Sequence, residues 1–315
     1  MVLIWFPSRY TSLPISKYTF AINKQCLTPK VAANSVTLHL QLSVMIQQIT
    51  LLILLSLLIS CGGKPQPQDP VPAHDSFKLE SKIVNETRVI NVWTPPAYTK
   101  DSMKQYDVLY MLDGGVKEDF PHIANTIAKL VEFKSIPPTL LVGIENTQRR
   151  RDLTGPSDVM KDKEIAPLTD GASIFRAFIK DELFGEIDSR YRTTNNRAIV
   201  GESVAGLFIV ETFLLSPDMF DTYIAMDPSL WWNDAYYVKN ASTILSSISD
   251  TKTKLWFAGS NAEDISVHTR KLAQTLESKS PINLTWKYAD KPKEHHNTIF
   301  RATKEAAFKW ALSEK

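Results

Sequence analysis

The sequence predicts an α/β architecture, a mostly parallel eight-stranded sheet flanked by helices in a three-layer sandwich. Three observations predict it. From Phe77 onward, short β-rich runs alternate with longer helical patterns, the order that a parallel sheet with crossover helices requires. Within Ala172 to Ile187, Ile174, Phe175, Phe178, Ile179, Leu183 and Phe184 recur at three- and four-residue spacing, which is an apolar helix face made to dock on a sheet. An apolar run, Arg197 to Val200, passes through a small-residue turn directly into an apolar helix, a tight strand-turn-helix junction.

Taken in chain order, residues 1–44 show no sustained period of 2 or 3.6 and predict no packed element. Ile49 to Ile59 is apolar apart from Thr50 and Ser56, too short to cross roughly 30 Å of hydrocarbon but of the length of a signal-peptide core. Leu58-Ile59-Ser60-Cys61-Gly62 follows and resembles the lipobox of bacterial lipoproteins, in which the cysteine is diacylated and becomes the new first residue. A buried core helix is the plainer alternative, but Gly62 to Pro72, rich in Gly, Pro, Gln and Lys, reads as a flexible tether. The expected division is therefore an upstream segment (1–44) outside the mature protein, a lipoprotein signal peptide (45–60), a lipidated tether (61–74) and one domain (75–315). Met45-Ile46-Gln47-Gln48 departs from the usual positive start of such a signal. With Cys26 removed and Cys61 lipidated, the mature chain holds no disulfide, and its stability has to come from its core. The expected location is the bacterial cell envelope, lipid-anchored on the periplasmic side or at the outer membrane.

In the domain, Phe77 to Val84 and Arg88 to Trp93 flank Asn85-Glu86-Thr87 and predict an antiparallel hairpin. Six further strands are predicted at Asp107 to Leu112, Leu140 to Ile144, Arg197 to Val200, Tyr223 to Met226, Lys254 to Ala258 and Leu284 to Tyr288. Helices are predicted at Phe120 to Phe133, Ala172 to Ile187, Ser203 to Leu215, Ala235 to Ile248, Ile265 to Leu276 and Ile299 to Leu312. Of 315 residues, 43% are hydrophobic and 22% charged, an ordinary globular composition, and the net charge is only +2 with both signs interspersed. No basic run carries interleaved aromatics, so nucleic acid is not an expected partner, and the membrane is expected only through the N-terminal lipid.

The chemistry centres on Gly201-Glu202-Ser203-Val204-Ala205-Gly206, which lies between an apolar strand and an apolar helix. A nucleophile elbow needs this context: the serine sits in a strained turn, and small residues two before and two after it let strand and helix approach. Gly201 and Ala205 take those places, Ala205 standing where glycine is usual. A serine that merely caps a helix is the competing reading. The N–H of Val204, at the head of that helix, is free to donate to an oxyanion. Asp113-Gly114-Gly115-Val116, after an early strand, offers Gly114 and Gly115 for the second donor, or else a plain turn.

The expected chain order of serine, acid and histidine leaves His268, His295 and His296 as bases. His268 shares a helix face with Leu272 and Leu276 and reads as structural, whereas His295 and His296 lie in a polar loop between the last strand and the last helix. Residue spacing does not separate these two neighbours. For the acid, the loop after Lys254 to Ala258 offers Glu263, with Asp264 as the alternative, and Asp227 at the end of the preceding strand is a third candidate. Asp264 has a competing role as a helix cap.

These residues resemble the serine esterase family that includes esterase D and the ferric enterochelin esterases, within the α/β-hydrolase superfamily. The resemblance runs over nearly the whole domain and rests on Val108-Leu109-Tyr110-Met111-Leu112-Asp113-Gly114, on Val142-Gly143-Ile144-Glu145-Asn146 with Arg151-Asp152-Leu153-Thr154, and on Glu182-Leu183 with Ile187-Asp188-Ser189-Arg190-Tyr191-Arg192-Thr193. The elbow and Pro228-Ser229-Leu230-Trp231-Trp232 complete it. The family's histidine motif, Glu-x-His-small-Ser/Thr, falls on Glu294-His295-His296-Asn297-Thr298 and singles out His296. Asp227 stands where the family usually has serine, so no role carries over to it.

The resemblance implies the α/β-hydrolase fold and acyl transfer, with Ser203 as nucleophile, His296 as general base, and no metal or organic cofactor. Trp231 and Trp232 would shape a substrate pocket, or simply belong to the core. A small-molecule ester, including a siderophore or sugar ester, is the implied substrate. An acyltransferase or a carbohydrate or siderophore ester deacylase would use the same residues. A non-catalytic envelope lipoprotein with a binding role is the alternative of a different class.

Overall fold

In the computed structural model the described residues are 69–248 and 252–313. The signal peptide, Cys61 and the tether as far as residue 68 lie outside them. The rest of the expected tether is held rather than loose. Asn125 Nδ2 donates to the Pro70 carbonyl at 2.8 Å, Arg301 pairs with Asp69 at 2.6 Å, and the His74 and Phe120 rings lie 5.1 Å apart.

Eight strands form one sheet: β1 (Asp75–Ser81), β2 (Glu86–Trp93), β3 (Tyr106–Met111), β4 (Thr139–Ile144), β5 (Thr193–Glu202), β6 (Thr222–Met226), β7 (Thr253–Gly259) and β8 (Leu284–Asp290). Their spatial order is β1-β2-β4-β3-β5-β6-β7-β8. The β1-β2 and β2-β4 pairs are antiparallel and the remaining pairs parallel. The hairpin turns at Asn85, whose φ of 52° lets the chain reverse, so Glu86 and Thr87, expected in the turn, are already paired with Ser81 and Glu80.

Helices α1 (Phe120–Glu132) and α9 (Ile299–Ala311) cover one face of the sheet. The other face carries α4 (Ala172–Phe178), α5 (Phe184–Arg190), α6 (Val204–Leu215), α7 (Trp232–Leu245) and α8 (Glu263–Lys279). The strands sort their side chains between these layers with period two: Val108, Tyr110, Ile199, Tyr223 and Phe257 join one core, while Leu109, Met111, Val200, Ile224 and Trp256 join the other. Helix α6 is buried from Val204 to Leu214, which is why its sequence is apolar all round rather than striped.

Two short helices, α2 (Arg149–Leu153) and α3 (Met160–Ile165), were not predicted, since five or six residues are too few to display a period. The predicted helix 172–187 is α4 and α5 joined by a π-helical segment, Ile179–Leu183. There the carboxylate of Glu182 accepts from the backbone N–H of Lys82 at 2.9 Å and of Ile83 at 3.2 Å, and from the Ser81 hydroxyl. The acid thus caps the β1-β2 turn from the next layer.

Candidate active site

The site forms at the carboxyl ends of the parallel strands, where open α/β sheets bind ligands. Three strands end on a non-glycine residue at positive φ: Asp113 after β3 at 55°, Ser203 after β5 at 62° and Asp227 after β6 at 47°. Such conformations cost on the order of 1–3 kcal/mol each and persist where the surroundings enforce them. At Ser203 the surroundings are explicit. Its N–H donates to the Met226 carbonyl at 2.9 Å, and its carbonyl accepts from Leu207 at 2.9 Å and from Ser229 at 3.0 Å.

Small residues make the elbow sterically feasible. A Cβ at Gly201 would lie 2.7 Å from that of Ala205, and one at Gly206 would lie 3.0 Å from the Met226 carbonyl and the Pro228 Cα. Ala205 is tolerated in a place where glycine is usual because its methyl occupies the space that Gly201 leaves open.

Ser203, His296 and Asp227 are in hydrogen-bond sequence. His296 Nε2 stands 3.1 Å from Ser203 Oγ, and its Nδ1 stands 2.6 Å from Asp227 Oδ2. With Asp227 accepting from Nδ1–H, Nε2 is left as the acceptor for the serine proton. Asp227 is fully buried, and its second oxygen accepts from the Ser260 N–H at 2.6 Å. This bond to Asp227 raises the His296 pKa above its ordinary value, against the opposing effect of burial. His295 points elsewhere, to Asn261 Oδ1 at 3.1 Å.

The expected acid is corrected. Glu263 and its alternative Asp264 are exposed in the first turn of α8, and the carboxylate on His296 is that of Asp227. The strand order explains this: β6 lies directly beside β5, while β7 is one strand further away, so the residue leaving β6 is the one beside Ser203.

Of the two glycines expected in the oxyanion hole, Gly114 is taken by the backbone and Gly115 by a side chain. The Gly114 N–H donates to the Ile144 carbonyl at 2.9 Å, and the Gly115 N–H to Glu118 Oε2 at 2.7 Å. Gly114 is a glycine for packing, because a Cβ there would sit 2.2 Å from the Ile144 nitrogen. Val204 opens α6, and its N–H therefore has no acceptor one turn earlier in the helix. Arg149 ties the two turns together: it grips Asp113 with Nε at 2.5 Å and Nη2 at 2.7 Å, and Nη2 also reaches the Glu202 carbonyl at 3.2 Å. Arg149 lies in a helix too short for sequence reasoning to find.

The tryptophan pair divides. Trp232 is buried in the core with its Nε1 donating to the Gly155 carbonyl at 3.1 Å. Trp231 is half-buried and borders a cleft of about 370 Å³ with Val159, Ile165, Asp234 and Asp264. Next to it, Asn233, Asp234 and Ala235 form one left-handed turn, with φ values of 50°, 52° and 56°. The turn is clamped by the Asn233 N–H, which donates to the buried Asp162 carboxylate at 2.7 Å.

With this geometry in place, a model of the family described as "Putative esterase" matches residues 81–314. The chain belongs to that family. Among curated proteins it is similar to the ferri-bacillibactin esterase BesA of Bacillus subtilis, 29% identical over 56% of this chain and 65% of that protein. It is also similar to the siderophore triacetylfusarinine C esterase of Aspergillus fumigatus, 31% identical over 58% of this chain and 65% of that protein. The chain thus spans just under two thirds of the length of both relatives. Among solved structures, an IroE-like serine hydrolase from Shewanella oneidensis is 26% identical with a TM-score of 0.68, over 76% of this chain and 79% of that one. The fold is that of α/β-hydrolase-type esterases.

Proposed function

We propose that the chain is a serine carboxylic ester hydrolase working through an acyl-enzyme on Ser203, with His296 as general base and Asp227 orienting the imidazole. The observation that carries this reading is the unbroken path from Ser203 Oγ to His296 Nε2 at 3.1 Å and from His296 Nδ1 to Asp227 at 2.6 Å. Ser203 Oγ attacks the ester carbonyl as its proton passes to Nε2, and the Val204 N–H receives the oxyanion. Nε2–H then protonates the departing alcohol. In the second half, Nε2 takes a proton from water, which attacks the acyl-enzyme, and Ser203 recovers its proton as the acid leaves.

Siderophore esters are the proposed substrate class, supported by the activities that the names of the two curated relatives state. The test is labelling of the purified protein with a fluorophosphonate, together with hydrolysis of a trilactone siderophore and of simple p-nitrophenyl esters. Labelling that maps to Ser203 and disappears in Ser203→Ala is the expected result. Turnover by Ser203→Ala at the wild-type rate would end the reading. The proposed setting is the cell envelope, through the signal at 45–60 and a lipid on Cys61, supported by the lipobox-like sequence. Incorporation of an alkyne-tagged fatty acid that Cys61→Ala abolishes is the expected outcome.

A further inference from the structure

Ser229 stands two residues after Asp227 and lies outside the hydrogen-bond path from Ser203 to Asp227. Its place beside the nucleophile is fixed from both sides. The Ser229 N–H donates to the Ser203 carbonyl at 3.0 Å, and the Ser229 carbonyl accepts from the Trp232 N–H at 3.2 Å. The residue is only 3% exposed, and its hydroxyl meets Ser203 Oγ at 3.3 Å. The nucleophilic oxygen therefore lies between two groups, His296 Nε2 at 3.1 Å and Ser229 Oγ at 3.3 Å.

Counting protons sets the direction of the second contact. The Asp227 carboxylate accepts from Nδ1–H, which leaves Nε2 without a proton and makes it an acceptor. Ser203 has one hydroxyl proton, and Nε2 takes it. The proton between the two serines then has to come from Ser229, which donates to a lone pair of Ser203 Oγ. At 3.3 Å this bond is longer than the roughly 2.7–2.8 Å usual between hydroxyls, so it does little for the neutral resting serine. Once the proton passes to Nε2 and charge builds on Oγ, the same donor faces an ionised acceptor, toward which such bonds shorten and about double in strength. A contact that is weak in the ground state and strong in the transition state is the kind that raises a rate.

We propose that Ser229 is a catalytic residue: its hydroxyl donates to Ser203 Oγ and stabilises the charge that gathers there as His296 takes the proton. In that step the Ser203 O–H bond breaks toward Nε2 while the bond from Oγ to the acyl carbon forms, and Ser229 keeps its own proton throughout. The same contact serves in reverse when Oγ leaves the acyl carbon. The role is separate from that of the Val204 N–H, which serves the acyl oxygen and not the nucleophile.

The inference rests on Ser203 being the nucleophile, and the experiment separates the two. Wild type, Ser203→Ala, Ser229→Ala, Ser229→Thr and Ser229→Val are compared in kcat/KM for a short-chain p-nitrophenyl ester across the pH range, and in the rate of inactivation by a fluorophosphonate. The second reaction reads the reactivity of Oγ toward a different electrophile. Thr and Val have nearly the same shape and differ in the hydroxyl, and the Val methyl takes the space in which a water could replace it. Ser229→Val is expected to lower both rate constants about 10- to 100-fold, the effect of losing one hydrogen bond to a charged group. Ser229→Thr, which keeps the donor, is expected to stand at least about tenfold above Ser229→Val in both. Ser229→Ala is expected to lose about tenfold, and because it cannot clash it decides the matter where circular dichroism shows that the extra methyl unfolds the protein.

Asp227 is near in the chain, and a variant that merely displaced it would lower the pKa of His296 and move the acid limb of kcat/KM. That limb is expected to stay in place in all three Ser229 variants. Equal rates for folded Thr and Val variants, Ser229→Ala at the wild-type rate, or a rate loss that comes with a moved acid limb each overturns the proposal even when Ser203→Ala is inactive. Turnover by Ser203→Ala overturns the underlying reading instead.

Discussion

The chain leaves β5 and β3 in the same manner, on a non-glycine residue at positive φ, Ser203 in one case and Asp113 in the other. The two turns then diverge. After β5 the strained residue heads a buried helix, so its hydroxyl faces His296 and the next N–H has no acceptor in its own helix. After β3 the chain folds back on β4, and each glycine N–H finds a partner, Gly114 on Ile144 and Gly115 on Glu118. Strain by itself therefore does not mark chemistry. What distinguishes the first turn is that its hydroxyl faces an imidazole and the Val204 N–H after it has no acceptor one turn earlier in its helix, while both glycine N–H groups of the other turn are taken.

If that distinction holds, damage to the first turn should remove turnover without unfolding, and damage to the second should do the reverse. The largest expected effect is on activity: Ser203→Ala and His296→Ala should each lower kcat by about 10⁴-fold or more, with the double variant hardly worse, because residues acting as a unit are not additive. Steady-state kinetics with circular dichroism would check it, and additive losses or a collapsed Tm would break the comparison. Next, Asp227→Asn should lower kcat by up to about 10⁴-fold by offering the imidazole the wrong hydrogen-bond partner. Glu263→Ala and Asp264→Ala should remain within a few-fold of wild type, and the reverse ranking would return the acid to α8.

Gly114→Ala tests the second turn. A methyl forced to 2.2 Å from the Ile144 nitrogen should destabilise by about 3 kcal/mol or more, read as the denaturation midpoint, while the fraction still titrated by fluorophosphonate turns over normally. Gly201→Ala should cost about 1–3 kcal/mol and be largely restored by adding Ala205→Gly, since the two methyls would be 2.7 Å apart. The smallest effect is electrostatic. The raised pKa of His296 stabilises the fold below the unfolded value near 6.5, and this contribution disappears as pH rises through the folded value. Because the His296 side chain is 42% exposed, the Tm gap between wild type and His296→Ala should widen by only a few degrees between pH 8 and pH 5.

All eight strands and six of the helical stretches were legible in the sequence, because a sheet buried on both faces demands continuous β-rich runs and its helices demand a long apolar face. The elbow was legible for a local reason, since glycine, serine and alanine have to fall at fixed steps between strand and helix. The partner of His296 was not, because Glu263, Asp264 and Asp227 all follow strands, and only the lateral order of β5, β6 and β7 decides which carboxylate is adjacent. The state of the Gly114 and Gly115 N–H groups was equally hidden, since a glycine pair looks the same whether it packs or donates. Trp231 and Trp232 are neighbours in sequence, yet one faces a cleft and the other the core, because the chain starts a helix between them.

The π-helical segment at Ile179–Leu183 has a bearing on how this chain tolerates insertions and deletions. A single residue added to a helix swings everything downstream by about 100° about the axis. Here the wide turn absorbs one such residue, so that Phe175 and Phe178 before it and Phe184 and Ile187 after it share one interior, with Glu182 left over to grip the hairpin. Removing one residue between 179 and 183 would therefore restore a regular spiral with Phe184 and Ile187 still facing the interior, and what would be lost is the grip of Glu182 on the β1-β2 turn.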